Sequence, residues 1–312
     1  MKDSLWEIQP EQERFNFPEG LYRVTAGRGG EAILIDGGEE TAIYDCGMAY
    51  CHQGLIENIE KKLSELGRDK LNKVIVSHSH YDHIGALPYI IDRWPDVQVI
   101  GGEKLKRVFA SDTAKGIMKR LGESARDKYT PDNKQPIKVD GMRVDLVVED
   151  GDTFNVGRFS VQAIKTPGHT DCSFSYYFNP GGILFMSESL GVLENNEVLH
   201  TSILKSYKQT IDSCEKCKRL GAKVLISSHY GIVPEEVAPK YFDMYIKFAN
   251  EERDLILSLY DQGLDFDGIQ KGYIDAHWSD KRDKAQPRAA FMENSVHTIN
   301  CIIKEFRNKD GE

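Results

Sequence analysis

Apolar residues in the first three quarters of the chain form short runs separated by polar turns. The runs with the length and composition of β-strands fall at residues 21–25, 32–36, 42–45, 74–76, 97–100, 142–148, 153–156, 159–164, 173–178, 183–185 and 224–226. Residues 54–66, 84–94 and 205–220 carry apolar side chains at helical spacing instead. Each half of this region combines a strand-rich block with a strand and a helix. The pattern predicts two similar units packed sheet on sheet, with helices outside.

The rest of the chain carries apolar residues at helical spacing. One stripe consists of Phe242, Tyr245, Phe248, Ile256 and Leu259, and another of Met292, Val296, Ile299, Ile303 and Phe306. We therefore divide the chain into residues 1–232 and a helical region at 233–312, which contains a polar loop predicted at 275–287. Because an apolar stripe must be buried, we expect this region either to cover a site on the first part or to form a homodimer interface.

The charge balance and the short apolar runs exclude several classes of protein. Among 312 residues, 40 are Lys or Arg and 49 are Asp or Glu, so the net charge is −9. An acidic chain has no overall attraction to nucleic acid or to an anionic membrane, and no apolar run reaches the ~20 residues that span a bilayer. The first residues lack the apolar core of a signal peptide. Together with scattered cysteines, which we interpret as reduced thiols, this favours a cytoplasmic protein.

The segment Ser-His-Ser-His-Tyr-Asp-His at residues 77–83 directly follows a predicted apolar strand. In an extended segment, residues two apart point the same way, so His78 and His80 face one point. Asp82 and His83 follow once the chain turns into a helix, and they can face a second point nearby. Imidazole and carboxylate groups together suit Zn²⁺, Fe or Mn²⁺. The segment therefore predicts a metal site.

Three further residues of ligand type follow other predicted strands. His169 comes after the strand at 159–164, Glu188 after 183–185, and His229 after 224–226. Loops at the ends of strands commonly carry catalytic residues on a rigid scaffold. We therefore expect ligands from several strand ends to meet at one rim of a packed sheet.

Together these motifs resemble the metallo-β-lactamase superfamily, whose His-x-His-x-Asp-His signature is present at residues 78–83. The matching positions, in the family's order, are Asp45, Gly47, His78, His80, Asp82, His83, His169, Glu188 and His229. They span about residues 20–232. The resemblance implies an α+β fold, a four-layer αββα sandwich with a one- or two-metal site at one edge, here followed by a C-terminal helical extension.

The resemblance also implies the roles of these residues. His78, His80 and His169 would bind the first metal, and Asp82, His83 and His229 the second. The family usually has an aspartate, preceded by glycine, that bridges the two metals, whereas this chain has Ser187 and Glu188. Glu188 either bridges both metals or binds only one. Asp45 is expected to orient the ligand loop or a ligand imidazole, or else to be a plain turn residue.

The implied activity is that of a metal-dependent hydrolase acting on a small-molecule ester, thioester, lactone or phosphoester. Two divalent ions, Zn²⁺ foremost with Fe or Mn²⁺ as alternatives, roughly 3.5–4 Å apart, can bridge a hydroxide that attacks the substrate. Asp82 is the candidate for orienting this nucleophile or handling its proton. Tyr81, Tyr230 and His277 are candidates for substrate contact, each with a packing role as the alternative.

Three other functions remain open at this point. A di-iron oxidoreductase of the flavodiiron type is one, although such proteins usually have glutamate where this chain has His80, and only 81 residues follow Gly231 for a flavin domain. A nuclease is disfavoured by the acidic charge. A catalytically weak, metal-binding regulatory protein is conceivable because Glu188 departs from the family pattern.

Overall fold

Six strands form the first sheet. The structure is a computed structural model that describes residues 12–194, 198–279 and 288–307. The strands lie side by side in chain order: β1 (Leu21–Arg23), β2 (Ile33–Asp36), β3 (Thr41–Tyr44), β4 (Lys73–Ile75), β5 (Gln98–Gly102) and β6 (Leu146–Val148). The β1–β2 and β2–β3 pairs are antiparallel, whereas β3 to β6 are parallel.

Five strands form the second sheet. In spatial order they are β13 (Val224–Ile226), β10 (Ile183–Phe185), β9 (Phe174–Asn179), β8 (Phe159–Lys165) and β7 (Thr153–Val156). Strands β10 and β13 are parallel, and β8 runs in the same direction because it and β10 are both antiparallel to β9. The carboxyl ends of β8, β10 and β13 therefore lie at one edge. A separate hairpin pairs β11 (Val192–Leu193) with β12 (Leu199–His200).

Alternation along the strands builds the layers of the sandwich. In β2, Ile33 and Ile35 belong to the core between the two sheets, whereas Leu34 packs with helices outside the first sheet. In β10, Phe185 faces the core between the sheets and Leu184 faces the helices outside the second sheet. Successive side chains of a strand point to opposite faces of the sheet, so each sheet has one face against the other sheet and one face against helices. The predicted four-layer αββα arrangement is confirmed.

Helices cover the outside of both sheets. Over the first sheet lie α1 (His52–Glu65), α2 (Tyr81–Ile84), α3 (Leu87–Arg93), α4 (Glu103–Ala110) and α5 (Asp112–Tyr129). Over the second sheet lies α6 (Tyr207–Lys218), followed by α7 (Tyr241–Asp261), α8 (Phe266–His277) and α9 (Arg288–Phe306). The C-terminal helical extension is therefore present.

The helices of the first half differ from the sequence-based expectation in two ways. The helix predicted at 84–94 begins as the short α2 and continues after a break as α3. Helices α4 and α5 were not predicted, because their buried positions are few and some are small. In α5, buried Met118, Gly122 and Ala125 form the inner face of an otherwise charged helix. Such a narrow stripe gives little periodic signal.

The C-terminal helices share an apolar core with the second sheet. Leu184 of β10 and Leu225 of β13 belong to the same buried cluster as Tyr245 of α7 and Ile299 of α9. Much of the predicted apolar stripe on α9 therefore packs within the molecule. The division after residue 232 stays a prediction, because this core crosses it.

Parts of two predictions fall outside the described residues. Of the loop predicted at 275–287, the first residues end helix α8 at His277, and 280–287 are not described. Residues 1–11, on which the signal-peptide prediction rests, are likewise not described. Among the residues that are described, no helix combines the length and apolarity needed to cross a membrane. All six cysteines are described, and none of them forms a disulfide bond.

Two buried tyrosines connect the sheets at the edge where the loops gather. Tyr44 of β3 donates a hydrogen bond from its hydroxyl to the carbonyl of Met186, 3.1 Å away, just beyond β10. Tyr176 of β9 donates to the carbonyl of Val76, 2.9 Å away, just beyond β4. Each hydroxyl thus holds the end of a strand in the opposite sheet, two residues before a ligand-type side chain.

Candidate metal centre

The seven ligand-type residues predicted from the sequence lie together at this edge. Four follow β4 of the first sheet, and the others follow β8, β10 and β13 of the second. Their ligand atoms form two groups, within each of which every atom lies within 4.8 Å of the others. The first group is His78, His80, His169 and Glu188, and the second is Asp82, His83, His229 and Glu188.

The first group is built around three imidazoles. His169 Nε2 lies 3.0 Å from His80 Nδ1 and 2.8 Å from Glu188 Oε2. The ring centroids of His78 and His169 are 5.1 Å apart. His78 is fully buried, and its Nε2 has no hydrogen-bond partner among the described residues. A buried polar atom without a partner is costly, so an electron-pair donor in this position fits a metal ligand.

The second group contains two imidazoles and two carboxylates. His83 Nε2 lies 3.2 Å from His229 Nε2 and 3.1 Å from Glu188 Oε1. His229 Nε2 also contacts Glu188 Oε1. Asp82 Oδ2 lies 3.6 Å from both His83 Nε2 and His229 Nε2. A nitrogen and oxygen donor set of this kind suits Zn²⁺ and, with more oxygen, Fe or Mn²⁺.

Glu188 belongs to both groups. Its Oε2 faces His169 of the first group, and its Oε1 faces His83 and His229 of the second. Ser187, which precedes it, has an extended backbone with φ −76° and ψ 166°, so glycine is not required there. The Ser187 hydroxyl is hydrogen-bonded to Thr166, 2.8 Å away. Of the two alternatives for Glu188, this geometry favours a shared ligand.

Hydrogen bonds from the ring nitrogen that faces away from the centre fix the tautomer of two ligand imidazoles. His169 Nδ1 donates to the carbonyl of Ser202 at 2.8 Å, and His229 Nδ1 donates to that of Gly29 at 3.1 Å. Carbonyl oxygens only accept, so the proton is on Nδ1 and the lone pair of Nε2 faces the centre. Such outer partners orient metal-binding histidines.

Asp45 orients two further ligand imidazoles, His83 directly and His78 through Ser77. Its Oδ2 accepts from His83 Nδ1 at 2.9 Å and from the hydroxyl of Ser77 at 2.6 Å, while Oδ1 accepts from the Ser77 backbone N–H. The Ser77 oxygen in turn accepts from His78 Nδ1 at 2.9 Å. Asp45 has φ 52°, an unusual left-handed conformation for a non-glycine residue. These contacts fit the predicted orienting role.

Burial and charge act differently on the two groups. Burial, together with the neighbouring histidines, lowers the pKa of His78 well below its usual value and that of His80 to about 3. Burial also lowers the pKa of His83, but Asp82, Asp45 and Glu188 outweigh it and raise that pKa well above normal. Burial opposes ionisation of Glu188, yet His169 and His229 hold its pKa well below normal. The imidazoles of His78 and His80 are thus neutral, the form that binds metals.

Gly30 is packed against the ligand His83. A Cβ at this position would lie 2.3 Å from His83 Nδ1 and 2.5 Å from Cε1. We expect Gly30→Ala to displace the His83 ring, to cost about 1–3 kcal/mol of stability through overpacking, and to weaken metal binding. Thermal unfolding and metal titration measure the two effects.

The matched control for this prediction is Gly116→Ala in helix α5, where a Cβ meets nothing within 4 Å. Removing a helical glycine at an exposed position should raise stability by up to about 1 kcal/mol. Equal metal affinity in Gly30→Ala and wild type would contradict the predicted packing.

The three candidates for substrate contact lie in different surroundings. Tyr81 begins helix α2 and lines an apolar pocket with Met118 and Ile137. The Tyr230 ring lies 5.9 Å from that of His229, and its backbone has φ 67°. His277 ends helix α8, where its ring lies 4.5 Å from that of Tyr273. Tyr81 and Tyr230 are thus beside ligands, whereas the His277 contact described is within the C-terminal helices.

Several contributors to the site had little signal in the sequence. The acceptors for His169 and His229 are backbone carbonyls, of Ser202 and Gly29, which any residue type could supply. Ser77 carried a weak signal, as a polar residue between an apolar strand and His78. Outside the site, Cys214 and Cys217 of helix α6 are both buried, and burial raises both thiol pKa values, that of Cys217 to about 12.

An αββα sandwich with two histidine-rich ligand groups at one edge defines a class of metal-binding proteins. The chain belongs to the metallo-beta-lactamase superfamily, whose family model matches residues 26–229. The family binds divalent metals, and its members include metal-dependent hydrolases, the class that the sequence predicted.

Similar proteins of known sequence include hydrolases. The chain is 29% identical over 184 residues to the metallo-beta-lactamase fold-containing protein ST1585 of Sulfurisphaera tokodaii, covering 57% of this chain and 66% of that protein. It is 27% identical to a hydroxyacylglutathione hydrolase of Prochlorococcus marinus over 50% of this chain and 49% of that protein. It is 22% identical to the atrochrysone carboxyl ACP thioesterase of Aspergillus fumigatus over 77% and 60%. The chain thus spans about half to two thirds of these relatives.

Solved structures share the fold over nearly the whole chain. The crystal structure of ST1585 superposes with a TM-score of 0.59 at 19% identity, covering 92% of this chain and all of that one. The family protein TTHA1429 from Thermus thermophilus gives a TM-score of 0.63 at 17% identity, covering 94% of each chain. At this level of identity the likeness shows the fold alone.

Proposed function

We propose that this protein is a hydrolase that uses two divalent metal ions at this centre to cleave a small ester or thioester, with lactones and phosphoesters as further substrate classes. The observation that carries the proposal is the carboxylate of Glu188, which directs one oxygen toward each of two histidine-rich groups. We assign His78, His80 and His169 to one ion and Asp82, His83 and His229 to the other. Zn²⁺ is the ion we favour for this donor set.

Bound divalent ions lower the pKa of coordinated water toward about 7 and polarise the substrate oxygen. The side chains of this chain position the reaction around them. Asp82 lies at the less buried side of the second group, with its side chain 19% exposed, and can therefore meet both water and substrate. We assign it to orienting the attacking water and taking up its proton. Tyr81 and Tyr230, which adjoin ligands, are assigned to the substrate side of the centre.

Thioesters are the first substrates to examine. Two of the relatives are named as hydrolases of acyl compounds, a hydroxyacylglutathione hydrolase and an atrochrysone carboxyl ACP thioesterase. Hydrolysis of a thioester, a lactone or a phosphodiester places the same demand on the site: an activated water and a stabilised oxyanion. We therefore expect the choice among these substrate classes to depend on the residues around the metal ligands rather than on the ligands themselves.

The experiment is reconstitution of metal-free full-length protein with Zn²⁺, Mn²⁺ or Fe²⁺, followed by assays on thioesters, lactones and phosphodiesters. We expect about two ions per chain and hydrolysis that disappears with a chelator and returns with the metal. Oxygen consumption by the iron-loaded protein without hydrolysis would replace the proposal by an oxidoreductase. Full metal loading without turnover would replace it by a metal-binding regulatory protein.

We further propose that residues 1–232 contain the catalytic unit and that 233–312 complete its core and flank the site. The shared cluster that includes Leu184, Leu225 and Tyr245 supports this arrangement. A cytoplasmic location and a homodimer are retained as proposals. The mass of the full-length protein in solution tests the second of these.

A further inference from the structure

Helix α7 of the C-terminal region contacts two backbone segments of the centre, one that carries the candidate ligand Glu188 and one that accepts a hydrogen bond from the candidate ligand His169. The hydroxyl of Tyr241 donates to the carbonyl of Leu190, 2.9 Å away, in the short turn that Glu188 begins. The hydroxyl of Tyr245 donates to the carbonyl of Thr201, 3.0 Å away. Both tyrosines are fully buried. The C-terminal helices therefore reach the centre through the backbone next to its ligands.

Glu252, two turns after Tyr245 on the same helix, adds a second contact to Thr201. The Thr201 hydroxyl donates to Glu252 Oε2, and the Tyr273 hydroxyl of α8 donates to Oε1 at 2.6 Å. Glu252 is 6% exposed and Thr201 is 5% exposed. A buried carboxylate that lost one of these donors would pay a desolvation cost. The pair therefore fixes the position of Thr201 firmly.

The next residue, Ser202, connects this pair to the metal centre. Its backbone has φ 52°, which is rare for a residue other than glycine and persists only where neighbouring contacts impose it. Its carbonyl accepts the Nδ1 proton of His169 at 2.8 Å. On the other side, the N–H of Lys205 donates to the carbonyl of Gly168 at 2.9 Å. Contacts on both sides thus hold the Ser202 carbonyl toward His169.

We propose that Thr201 and Glu252 are positioning residues for His169. By holding the Ser202 carbonyl, they fix the tautomer and the ring orientation of this imidazole. The inference rests on the proposed function, in which His169 is a ligand of the first group. It gives the C-terminal helices a part in metal affinity as well as in covering the sandwich.

The test uses full-length protein and Zn²⁺ alone, with a competing chelator to measure both dissociation constants. Thr201→Val removes the hydroxyl at nearly constant shape and leaves the Ser202 carbonyl in place but less firmly held. We therefore expect it to weaken the binding of one ion by about 10-fold, the lower end of what loss of an outer partner of a metal-binding histidine costs. Glu252→Gln should weaken the same ion. Thr201→Ser restores the hydroxyl and should restore the affinity.

A spectroscopic measurement separates positioning from general destabilisation. In Co²⁺-substituted protein, the Nδ1 protons of ligand histidines give shifted NMR signals that exchange with solvent. We expect Thr201→Val to move the His169 signal and speed its exchange, and to leave those of His83 and His229 in place. Circular dichroism establishes that each variant is folded, and Glu252→Gln decides the question if Thr201→Val is not.

The matched control is Tyr207→Phe. It removes a partly buried hydroxyl of helix α6 that donates to Asn250 Oδ1 of helix α7 at 2.7 Å, two residues before Glu252. We expect it to keep the wild-type Zn²⁺ affinity. Wild-type affinity in both Thr201→Val and Glu252→Gln, or an equal loss in Tyr207→Phe, would overturn the inference while the proposed function stands. A wild-type protein that binds no Zn²⁺ would overturn both.

Discussion

Replacing His80 with alanine is expected to abolish most of the hydrolysis and to release the metal of the first group. His80 Nδ1 is one of the ligand atoms of that group and lies 3.0 Å from His169 Nε2. Loss of an outer hydrogen-bond partner of a ligand costs 10–100-fold in affinity, so loss of the ligand itself should cost at least about 100-fold. Metal content after dialysis and kcat/KM on the best substrate found measure the effect.

His297→Ala is the control for this variant. His297 is exposed on helix α9 and belongs to neither ligand group, so its removal should change neither quantity. The second group keeps its own ligands in His80→Ala, so we expect about one ion per chain to remain. Wild-type turnover and metal content in His80→Ala would show that the first group is not the metal site.

Substitutions of Glu188 should also cause a large loss of metal and activity, and two of them separate the effect of the charge from that of the side-chain length. Glu188→Gln keeps the length of the side chain and removes the charge shared by both groups. We expect it to lose at least one ion and to lose activity about as severely as His80→Ala. Glu188→Asp keeps the charge but is one methylene shorter. Since each oxygen of Glu188 now faces a different group, the shorter carboxylate should keep one group filled and weaken the other.

The ratio of metal to protein during stepwise dialysis measures both Glu188 variants. Glu194→Gln is the matched control, because Glu194 is another buried acid paired with a histidine, His200, at 2.7 Å, outside both ligand groups. It should retain the wild-type ratio. If Glu188→Gln and Glu188→Asp both keep two ions with equal affinity, the carboxylate is not a shared ligand.

The positions of the ligands could be predicted because each follows a recognisable strand. An apolar run ending in a polar residue of ligand type is a local signal, and the direction of the strands brings four such ends to one edge. The division of Glu188 between two groups could not be predicted in this way. It depends on where the ends of β8, β10 and β13 stand relative to one another, which is set by pairing over long distances in the chain.

The hydrogen bonds that orient the ligands could not all be predicted from the sequence either. The carbonyls of Gly29 and Ser202 orient two imidazoles, but a carbonyl has no residue-type signal. Helix α5 was not predicted either. Its buried face contains only one large apolar residue, Met118, beside Gly122 and Ala125, so the sequence shows no periodic apolar stripe there. Asp45 was accessible, since a carboxylate at the end of a strand stands out even when its partners, Ser77 and His83, lie about 30 or more positions away.

The cross-sheet hydrogen bonds of Tyr44 and Tyr176 have a consequence for the rate of metal uptake. Each hydroxyl anchors the strand end that precedes ligands from the opposite sheet, and does so within the protein core. The two halves of the centre are thereby preorganised by the polypeptide, so capture of an ion requires little ordering of the chain. Uptake should then increase in proportion to the concentration of free ion, with no plateau set by a slow conformational step.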